Sequence, residues 1–401
     1  MPKKIFELYF PTLLLVVFFF YPSLSNSAPI RGVAGDLWAD IILGQPGFGD
    51  IAPNQVGPKG LFNPYSSVVD TLHNILYVYD SGNNRILGVS NLPGLTSGQG
   101  ADIVLGQTDF THSSCNHDSS WLSYPAVPTP DASCLCGLRY DQQSPAEGGS
   151  VGNMVVDTQG NLYVPDYFNN RVVRYDWPIA TNEAASHVWG QPNFNSYQFN
   201  NVGGNVSGTP NNSNLNFYPN GVGDNHYYAG VGTDNLGNLW VADASNNRVL
   251  RFPNPNVPGA GVPQSTADVV LGQSNFSSTV AASMGDLAHL KHPGAVRVDA
   301  AGNVYVSDLV TNAASAFGWS GRVLVYKPTG NDPSGQPKYG ATNMGLSASA
   351  AITQFIDQAN GLEWDPSGDL WVSQYYETVL FHFTLSPSVS AAATKVLMQA
   401  S

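Results

Sequence analysis

Short apolar runs separated by polar turns recur along this chain, and they suit β-strands better than helices. One pattern occurs four times: an apolar run ending in Asp, a turn, then Asn-Asn-Arg or a remnant of it, and a second apolar run. The copies begin at Leu76, Leu162, Leu239 and Val304, and a weaker fifth copy, Leu370–Gln374, lacks both the Asp and the Arg. The runs are rich in Val, Leu, Tyr and Trp and are bounded by Gly, Asn and Pro, which predicts the strands of a repeat protein.

Two further runs accompany the copies and supply the remaining strands. A run ending in Asp precedes each copy, at Asp70, Asp157, Asp234, Asp299 and Asp365. A run ending in Gly-Gln recurs as Ile42–Gln45, Val104–Gln107, Val188–Gln191 and Val270–Gln273, with Phe three residues after each Gln. We place this run upstream, as the opening strand of its unit. Four short antiparallel strands per unit, repeated around a ring, predict an all-β fold, the β-propeller.

The number of blades follows from counting the units. Five units are visible, and the run 393–399 has the pattern of an opening strand of another. We therefore expect a six-bladed ring, with part of the last blade lacking from the chain. A smaller ring closed by the two chain ends is the alternative.

The best-formed copies resemble NHL repeats. The resemblance rests on Gly160-Asn161-Leu162-Tyr163-Val164 with Asn169-Asn170-Arg171-Val172, and on the corresponding run from Gly237 to Leu250. It covers about residues 40–385 and is weaker in the fifth copy. The resemblance implies a propeller of the six-bladed, TolB-like type that acts as a binding platform or, in some relatives, as an enzyme.

The net charge of the chain bears on whether it binds nucleic acid. It has 16 Lys and Arg against 29 Asp and Glu, a net charge of −13 and a pI near 4.8. A surface that binds nucleic acid needs clustered Lys and Arg, and these are spread along the chain. Nucleic acid is therefore not an expected partner.

Residues 1–28 have the layout of a secretory signal peptide. Lys3 and Lys4 precede an apolar core from Thr12 to Tyr21, and Ser25–Ala28 offers small residues for cleavage. A retained anchor is the alternative, but the apolar run is short for a span of about 20 residues. We predict removal of residues 1–28, a mature propeller of residues 29–401 without a membrane span, and a secreted, periplasmic or cell-surface location.

The Asp and Arg of the repeats are interpreted as structural. The pairs are Asp80 with Arg85, Asp166 with Arg171, Asp243 with Arg248, and Asp308 with Arg322. An enzyme uses one site, whereas these pairs recur in every well-formed copy. We expect the Asp to accept hydrogen bonds from turn amides and from the Arg, while the Asn pair tolerates a left-handed turn.

Candidate metal ligands come from the resemblance to propeller enzymes. Amidating lyases with NHL repeats hold zinc through histidines of different blades, and lactonase-type propellers hold a cation at channel positions such as Asn360. The candidates are therefore His226, His289, His292 and Asn360, for Zn or Ca in the channel. A single His is more often structural, so the leading expectation is that there is no cofactor.

All three cysteines lie between Phe110 and Met154. In an exported protein, a disulfide from Cys115 to Cys134 or Cys136 would stabilise this insertion. Alternatively, Cys115, His117, Cys134 and Cys136 could bind zinc or copper, although one residue between paired ligands is fewer than zinc sites usually have. The disulfide is favoured.

The leading functional hypothesis is an exported, non-catalytic propeller that binds a protein or a carbohydrate through one loop face. The insertions 107–150 and 191–230 are the expected contact regions, and the second is rich in Asn and Tyr. The alternative is a metal-dependent enzyme, a lyase or a lactonase-like hydrolase, with its site in the central channel.

Overall fold

The structure is a computed structural model that describes residues 39–51, 56–117, 129–137, 153–217, 229–255, 266–311, 319–353, 359–365, 367–374, 380–384 and 395–397. The chain divides into two compact units, Met1–Ile41 and Ile42–Ser401. The predicted signal peptide, residues 1–28, lies outside the described residues. All the strands of the described residues belong to the second unit.

Twenty of the strands form five four-stranded antiparallel sheets, numbered here as blades 1 to 5. Blade 1 contains β1 (Pro64–Asp70), β2 (Ile75–Asp80), β3 (Arg85–Ser90) and β4 (Ile103–Leu105). Blade 2 contains β5 (Val155–Val156), β6 (Leu162–Asp166), β7 (Arg171–Tyr175) and β8 (His187–Trp189). Blade 3 contains β9 (Val231–Thr233), β10 (Leu239–Asp243), β11 (Arg248–Phe252) and β12 (Val269–Leu271).

Blades 4 and 5 follow the same order, with one small addition. Blade 4 contains β13 (Pro293–Val298), β14 (Val304–Thr311), β15 (Trp319–Tyr326) and β18 (Ala350–Ile352), and the hairpin of β16 (Gly330–Asn331) and β17 (Pro337–Lys338) lies between its last two strands. Blade 5 contains β19 (Ala359–Trp364), β20 (Leu370–Gln374), β21 (Leu380–Phe383) and β22 (Lys395–Leu397).

The arrangement of the blades confirms the predicted all-β propeller. The first strands of successive blades contact one another in the order β1, β5, β9, β13 and β19, as expected around a ring. Helical structure in the described residues is confined to short 3₁₀ turns at Ser81–Asn83, Leu92–Gly94, Cys115–His117, Tyr167–Asn169 and Ala244–Asn246. In the same residues, no helix is long and apolar enough to cross a membrane.

The hydrophobic core lies between neighbouring blades. One buried cluster joins blades 1 to 3 and includes Tyr77, Val164 and Val241. A second joins blade 3 to blade 4, and a third joins blade 4 to blade 5. Each blade therefore removes apolar surface from water against its neighbours, at roughly 25 cal/mol per Å².

The Gly-Gln run ends a blade, and the prediction that it opens one was wrong. Val104 and Leu105 lie in β4, and Leu105 pairs with Ile86 of β3. Likewise, the described part of the run 393–399, Lys395–Leu397, forms β22 and pairs with β21 as the outermost strand of blade 5. A six-bladed ring remains a prediction.

The glycine of this run explains why the strand stops there. Gly272 has φ +78°, which L-residues rarely adopt, and a Cβ on it would lie 2.5 Å from the side chain of Leu290. Gly106 and Gly190 show the same left-handed φ and the same close approach to a leucine. The chain turns out of the blade at this point, and only glycine allows both the turn and the contact.

We expect Gly272→Ala to lower the free energy of unfolding by about 1–3 kcal/mol, because it adds backbone strain and a steric clash together. Urea denaturation of the variant and the wild type measures this change. Gly49→Ala is the matched control, since a Cβ at Gly49 would meet no atom within 4 Å and its φ lies outside the left-handed region. Equal losses in the two variants would contradict the assigned role of Gly272.

Candidate functional site

The antiparallel strand order places two kinds of loop at the same edge of the propeller. The turn from the second to the third strand of each blade lies there, and so does the connection from the outermost strand to the next blade. We call this edge the anchor face; it comprises the turns 81–84, 167–170 and 244–247 and the connections 106–153, 190–230 and 272–292. Both long insertions of the sequence belong to it, in so far as the structure describes them.

A buried ion pair lies under the anchor face in each of blades 1 to 4. Nε of the Arg and Oδ2 of the Asp are 2.7 Å apart in Asp80–Arg85, Asp166–Arg171 and Asp243–Arg248. In blade 4, Nη2 of Arg322 lies 2.8 Å from Oδ2 of Asp308. All eight residues are buried.

The other carboxylate oxygen of each Asp holds the segment that enters the blade. Oδ1 accepts a backbone N–H bond from Phe62 in blade 1, at 2.6 Å, and from Cys136 in blade 2, at 2.7 Å. Asn216 and Lys291 donate in the same way to the Asp of blades 3 and 4, each at 2.7 Å. Each carboxylate therefore fixes a connection as well as its own Arg.

The guanidinium groups bind backbone carbonyls of the connections on both sides of a blade. Nη1 of Arg171 donates to the carbonyl of Phe194, which follows blade 2, and Nη2 donates to the carbonyl of Cys134, which precedes it. Arg248 donates likewise to the carbonyls of Phe276 and Asn214. In blades 1 to 3, the Phe that follows the Gly-Gln run is thus the residue whose backbone carbonyl binds the Arg.

The Gln and the second Asn of the repeat complete this framework. Nε2 of Gln191 donates to the carbonyls of Asn170 and Gln198, at 3.1 and 2.8 Å. Asn170 itself has φ 49°, donates to the carbonyl of Tyr197 and accepts a bond from the N–H of Phe217. Short polar Asn tolerates the left-handed turn that these bonds require.

Burial opposes the ionised form of the carboxylates. It raises the pKa of Asp308 to about 6, against the lowering effect of Arg322 and of the Lys291 amide. Burial also raises the pKa of Asp80 and Asp243. The bonds to Arg and to backbone amides oppose this effect of desolvation, as expected for the predicted structural role.

A disulfide ties the first insertion to blade 2. It joins Cys115 to Cys136, and the backbone N–H of Cys136 bonds Asp166. Cys134 is a buried thiol whose sulfur accepts from the N–H of Asp131, and burial raises its pKa to about 12. The disulfide contains two of the four residues that were alternatives as zinc or copper ligands. In this structure, Cys115 and Cys136 are therefore not available to bind a metal.

The Asn-rich second insertion uses its amides internally where the structure describes it. Asn205 accepts from the N–H groups of Tyr197 and Gln198, at 3.0 and 3.1 Å. Asn200 and Asn246 exchange two side-chain hydrogen bonds, at 3.0 and 2.7 Å. These Asn side chains therefore stabilise the conformation of the loop.

The tip of that insertion is apolar. Val202 and Val206 are each 57% exposed, and the N–H of Val202 donates to the carbonyl of Val206 at 3.0 Å. This bond and the Asn anchors beneath the tip hold two aliphatic side chains in water. Exposed aliphatic groups on an ordered loop suit contact with a partner.

Of the four predicted metal ligands, the structure describes the side chains of His289 and His292. Nδ1 of His289 lies 2.8 Å from Oδ2 of Asp286. The backbone carbonyl of His289 accepts a hydrogen bond from Arg322. His292 has φ 54° and donates its N–H to Asn247. His226 lies outside the described residues, and Asn360 lies in β19 with its side chain outside them.

A different histidine lies against two carboxylates. Among the described residues, Asp365, Asp369 and His382 form a group whose potential ligand atoms are all within 4.8 Å of one another. Sequence reasoning missed this group because it searched for histidines shared between blades. The signal that could have found it was Asp369, which stands where Asn161, Asn238 and Asn303 stand in the other copies.

Comparison with known proteins gives structural similarity only. No family model and no curated protein matches the chain. A streptogramin B lyase structure is 11% identical, with a TM-score of 0.38, 84% of this chain covered and 70% of that one. A gluconolactonase from Xanthomonas campestris is 15% identical, with a TM-score of 0.32, 60% of this chain covered and 58% of that one.

A WD40 domain of coronin from Toxoplasma gondii is also similar. It is 7% identical, with a TM-score of 0.41, 86% of this chain covered and 60% of that one. Similarity at these values assigns neither a family nor an activity, and the strand pairing of the chain itself establishes the fold.

We expect Arg248→Ala to lower the free energy of unfolding by about 3–5 kcal/mol, because Asp243 would then be a buried charge without its partner. Chemical denaturation measures this loss. Lys327→Ala is the control, since Lys327 is exposed and its truncation should cost no more than about 0.5 kcal/mol. Similar stability of the two variants would show that the pair is not a structural anchor.

Proposed function

We propose that the protein is an exported, non-catalytic propeller that binds a protein partner through the anchor face. The observation that carries this proposal is the ordered, apolar tip of the second insertion, Val202 and Val206, held over the Asp–Arg framework. The propeller supplies a rigid base, and connections of unequal length supply a surface that differs from blade to blade.

The framework reduces the cost of binding. Connections fixed by Arg, Gln and Asn side chains lose little conformational freedom when a partner binds, so more of the contact energy appears as affinity. The connections differ in length and sequence from blade to blade, whereas the buried anchors beneath them are the same in blades 1 to 3.

A protein partner is favoured over a carbohydrate. Sugars are bound chiefly through hydrogen bonds with side chains such as Asn. The amide of Asn200 already bonds Asn246, and the amide oxygen of Asn205 accepts from Tyr197 and Gln198. Val202 and Val206 offer apolar surface instead, which suits a hydrophobic patch on a polypeptide. Carbohydrate binding is the second hypothesis, and probing with peptides and glycans side by side discriminates between the two.

The metal-dependent enzyme is the weaker alternative. A lyase or lactonase-like hydrolase would need ligands that converge in the channel, and the imidazole of His289 instead contacts Asp286 in the connection that leads into blade 4. This contact favours a framework role for His289.

We expect the double variant Val202→Asp, Val206→Asp to bind peptides selected on the wild-type protein at least about tenfold more weakly, because two desolvated aliphatic contacts become charged. Peptides selected from a random phage-displayed library, measured by surface plasmon resonance, provide the test, and a glycan array is probed in parallel. Leu72→Asp is the matched control, since Leu72 is 62% exposed in the β1–β2 turn at the opposite edge. Glycan binding without peptide binding, or peptide binding unaffected in the double variant, would overturn the protein-binding proposal.

Export is supported by the layout of residues 1–28 and by the disulfide Cys115–Cys136, since disulfides persist in oxidising compartments. We expect the secreted protein to begin close to residue 29. Intact-mass measurement of protein recovered from the medium or periplasm checks this, with the unprocessed chain as mass reference. Retention of residues 1–28, or accumulation of the protein in the cytosol, would contradict it.

A further inference from the structure

We propose that Asp365, Asp369 and His382 of blade 5 bind a zinc ion, which joins the β19–β20 turn to β21. Asp365 and Asp369 lie in that turn, at the edge opposite the anchor face, and His382 lies on β21. Nε2 of His382 is 3.4 Å from Oδ2 of Asp365 and 3.3 Å from Oδ2 of Asp369. The imidazole is 8% exposed and the carboxylates 23% and 21%, so one buried and two half-buried ligands converge.

The same turn in other blades shows what this site replaces. In blades 2 to 4, the Asn four residues after the Asp donates its amide to Oδ2, at 2.9, 2.8 and 2.7 Å. The backbone of the turn is the same in blade 5: the N–H of Asp365 donates to the carbonyl of Asp369 at 2.9 Å, as that of Asp157 does to Asn161 at 3.0 Å. The difference is therefore confined to the side chain.

Blade 5 has a second acceptor where the other blades have a donor. Asp369 replaces the Asn, so an amide that neutralised the first carboxylate becomes another carboxylate. Two carboxylates facing each other repel, and a shared cation removes that repulsion. The substitution thus creates a need for positive charge that blades 2 to 4 do not have.

The facing strand also differs from its counterparts in blades 2 and 3. His382 pairs with Trp371 in the register in which Arg174 pairs with Tyr163 and Arg251 pairs with Trp240. The guanidinium of Arg is always protonated, whereas the imidazole of His can present a lone pair to a metal. Compared with blades 2 and 3, blade 5 therefore has an additional carboxylate in the turn and a potential metal ligand in place of a fixed cation; blade 4 has Val325 at the position of His382.

The ligand types and their support suit zinc. Imidazole nitrogen with carboxylate oxygen is a donor set that Zn²⁺ accepts, and three protein ligands leave a fourth position for water. Nε1 of Trp371 donates to Oδ2 of Asp365 at 3.1 Å and orients that carboxylate. The ring of Trp371 also packs against His382, with 4.6 Å between ring centroids.

The position explains why blade 5 would use a metal. Its repeat lacks the Asp–Arg pair, since Gln374 stands at the Asp position. A zinc ion between the β19–β20 turn and β21 would link three strands of this blade at the opposite edge. Metal bound only by the folded blade stabilises it by mass action.

The test uses the full-length protein after treatment with EDTA and dialysis. Titration with ZnCl₂, followed by calorimetry and by the thermal unfolding midpoint, should give one zinc ion per chain and a zinc-dependent rise in Tm. Asp369→Asn restores the amide that blades 2 to 4 have, so it should fold. We expect it to bind zinc at least about tenfold more weakly and to lose the rise in Tm.

Asn161→Asp is the matched control. It places two carboxylates in the turn of blade 2, where the residue that pairs with Tyr163 is Arg174 and not a histidine, and should leave the stoichiometry at one zinc per chain. Failure of the wild type to bind zinc would overturn the proposal and leave a protonated imidazole as the shared cation. Zinc binding that Asp369→Asn leaves unchanged would also overturn it, since the ion would then lie elsewhere.

Discussion

The buried ion pair between Asp and Arg is the interaction on which this propeller depends. A charged pair removed from water costs desolvation energy, and such pairs are often no better than apolar packing. Here the charges do more than bind each other, because the carboxylate binds the amide entering the blade and the guanidinium binds carbonyls of its connections. Backbone groups of long loops, which carry no ladder of their own, are thereby satisfied. The ion pair therefore holds the connections, which have no regular secondary structure, in a fixed conformation.

Much of this architecture was readable in the sequence, for a physical reason. Strands alternate with turns whose residues have restricted roles: Asp80 and Arg85 lie at the two ends of one tight turn, and Asn84 adopts φ 53° between them. The sequence did not show which strand begins each blade. A cyclic pattern has no marked beginning, so the Gly-Gln run could open or close a unit, and only the pairing of Ile86 with Leu105 decides.

The site chemistry was harder to predict because it depends on departures from the repeat. His289 and His292 were predicted as metal ligands because they are histidines. Their backbone positions are fixed by hydrogen bonds with Arg322 and Asn247. Asp369 and His382 are distant in sequence and meet only through the register of β20 with β21. Their signal is a single Asn-to-Asp difference between copies, which carries meaning only once the bond made by Asn161, Asn238 and Asn303 is known.

The alternating direction of the strands has a consequence for how such a molecule can diverge. A five-residue strand such as β10 spans roughly 17 Å, about twice the distance over which physiological salt screens a charge. Exposed charges at the anchor face and at the opposite edge are therefore largely screened from each other. The exposed charges of the turns opposite the anchor face can thus vary with little effect on the exposed charges of the connections at the anchor face.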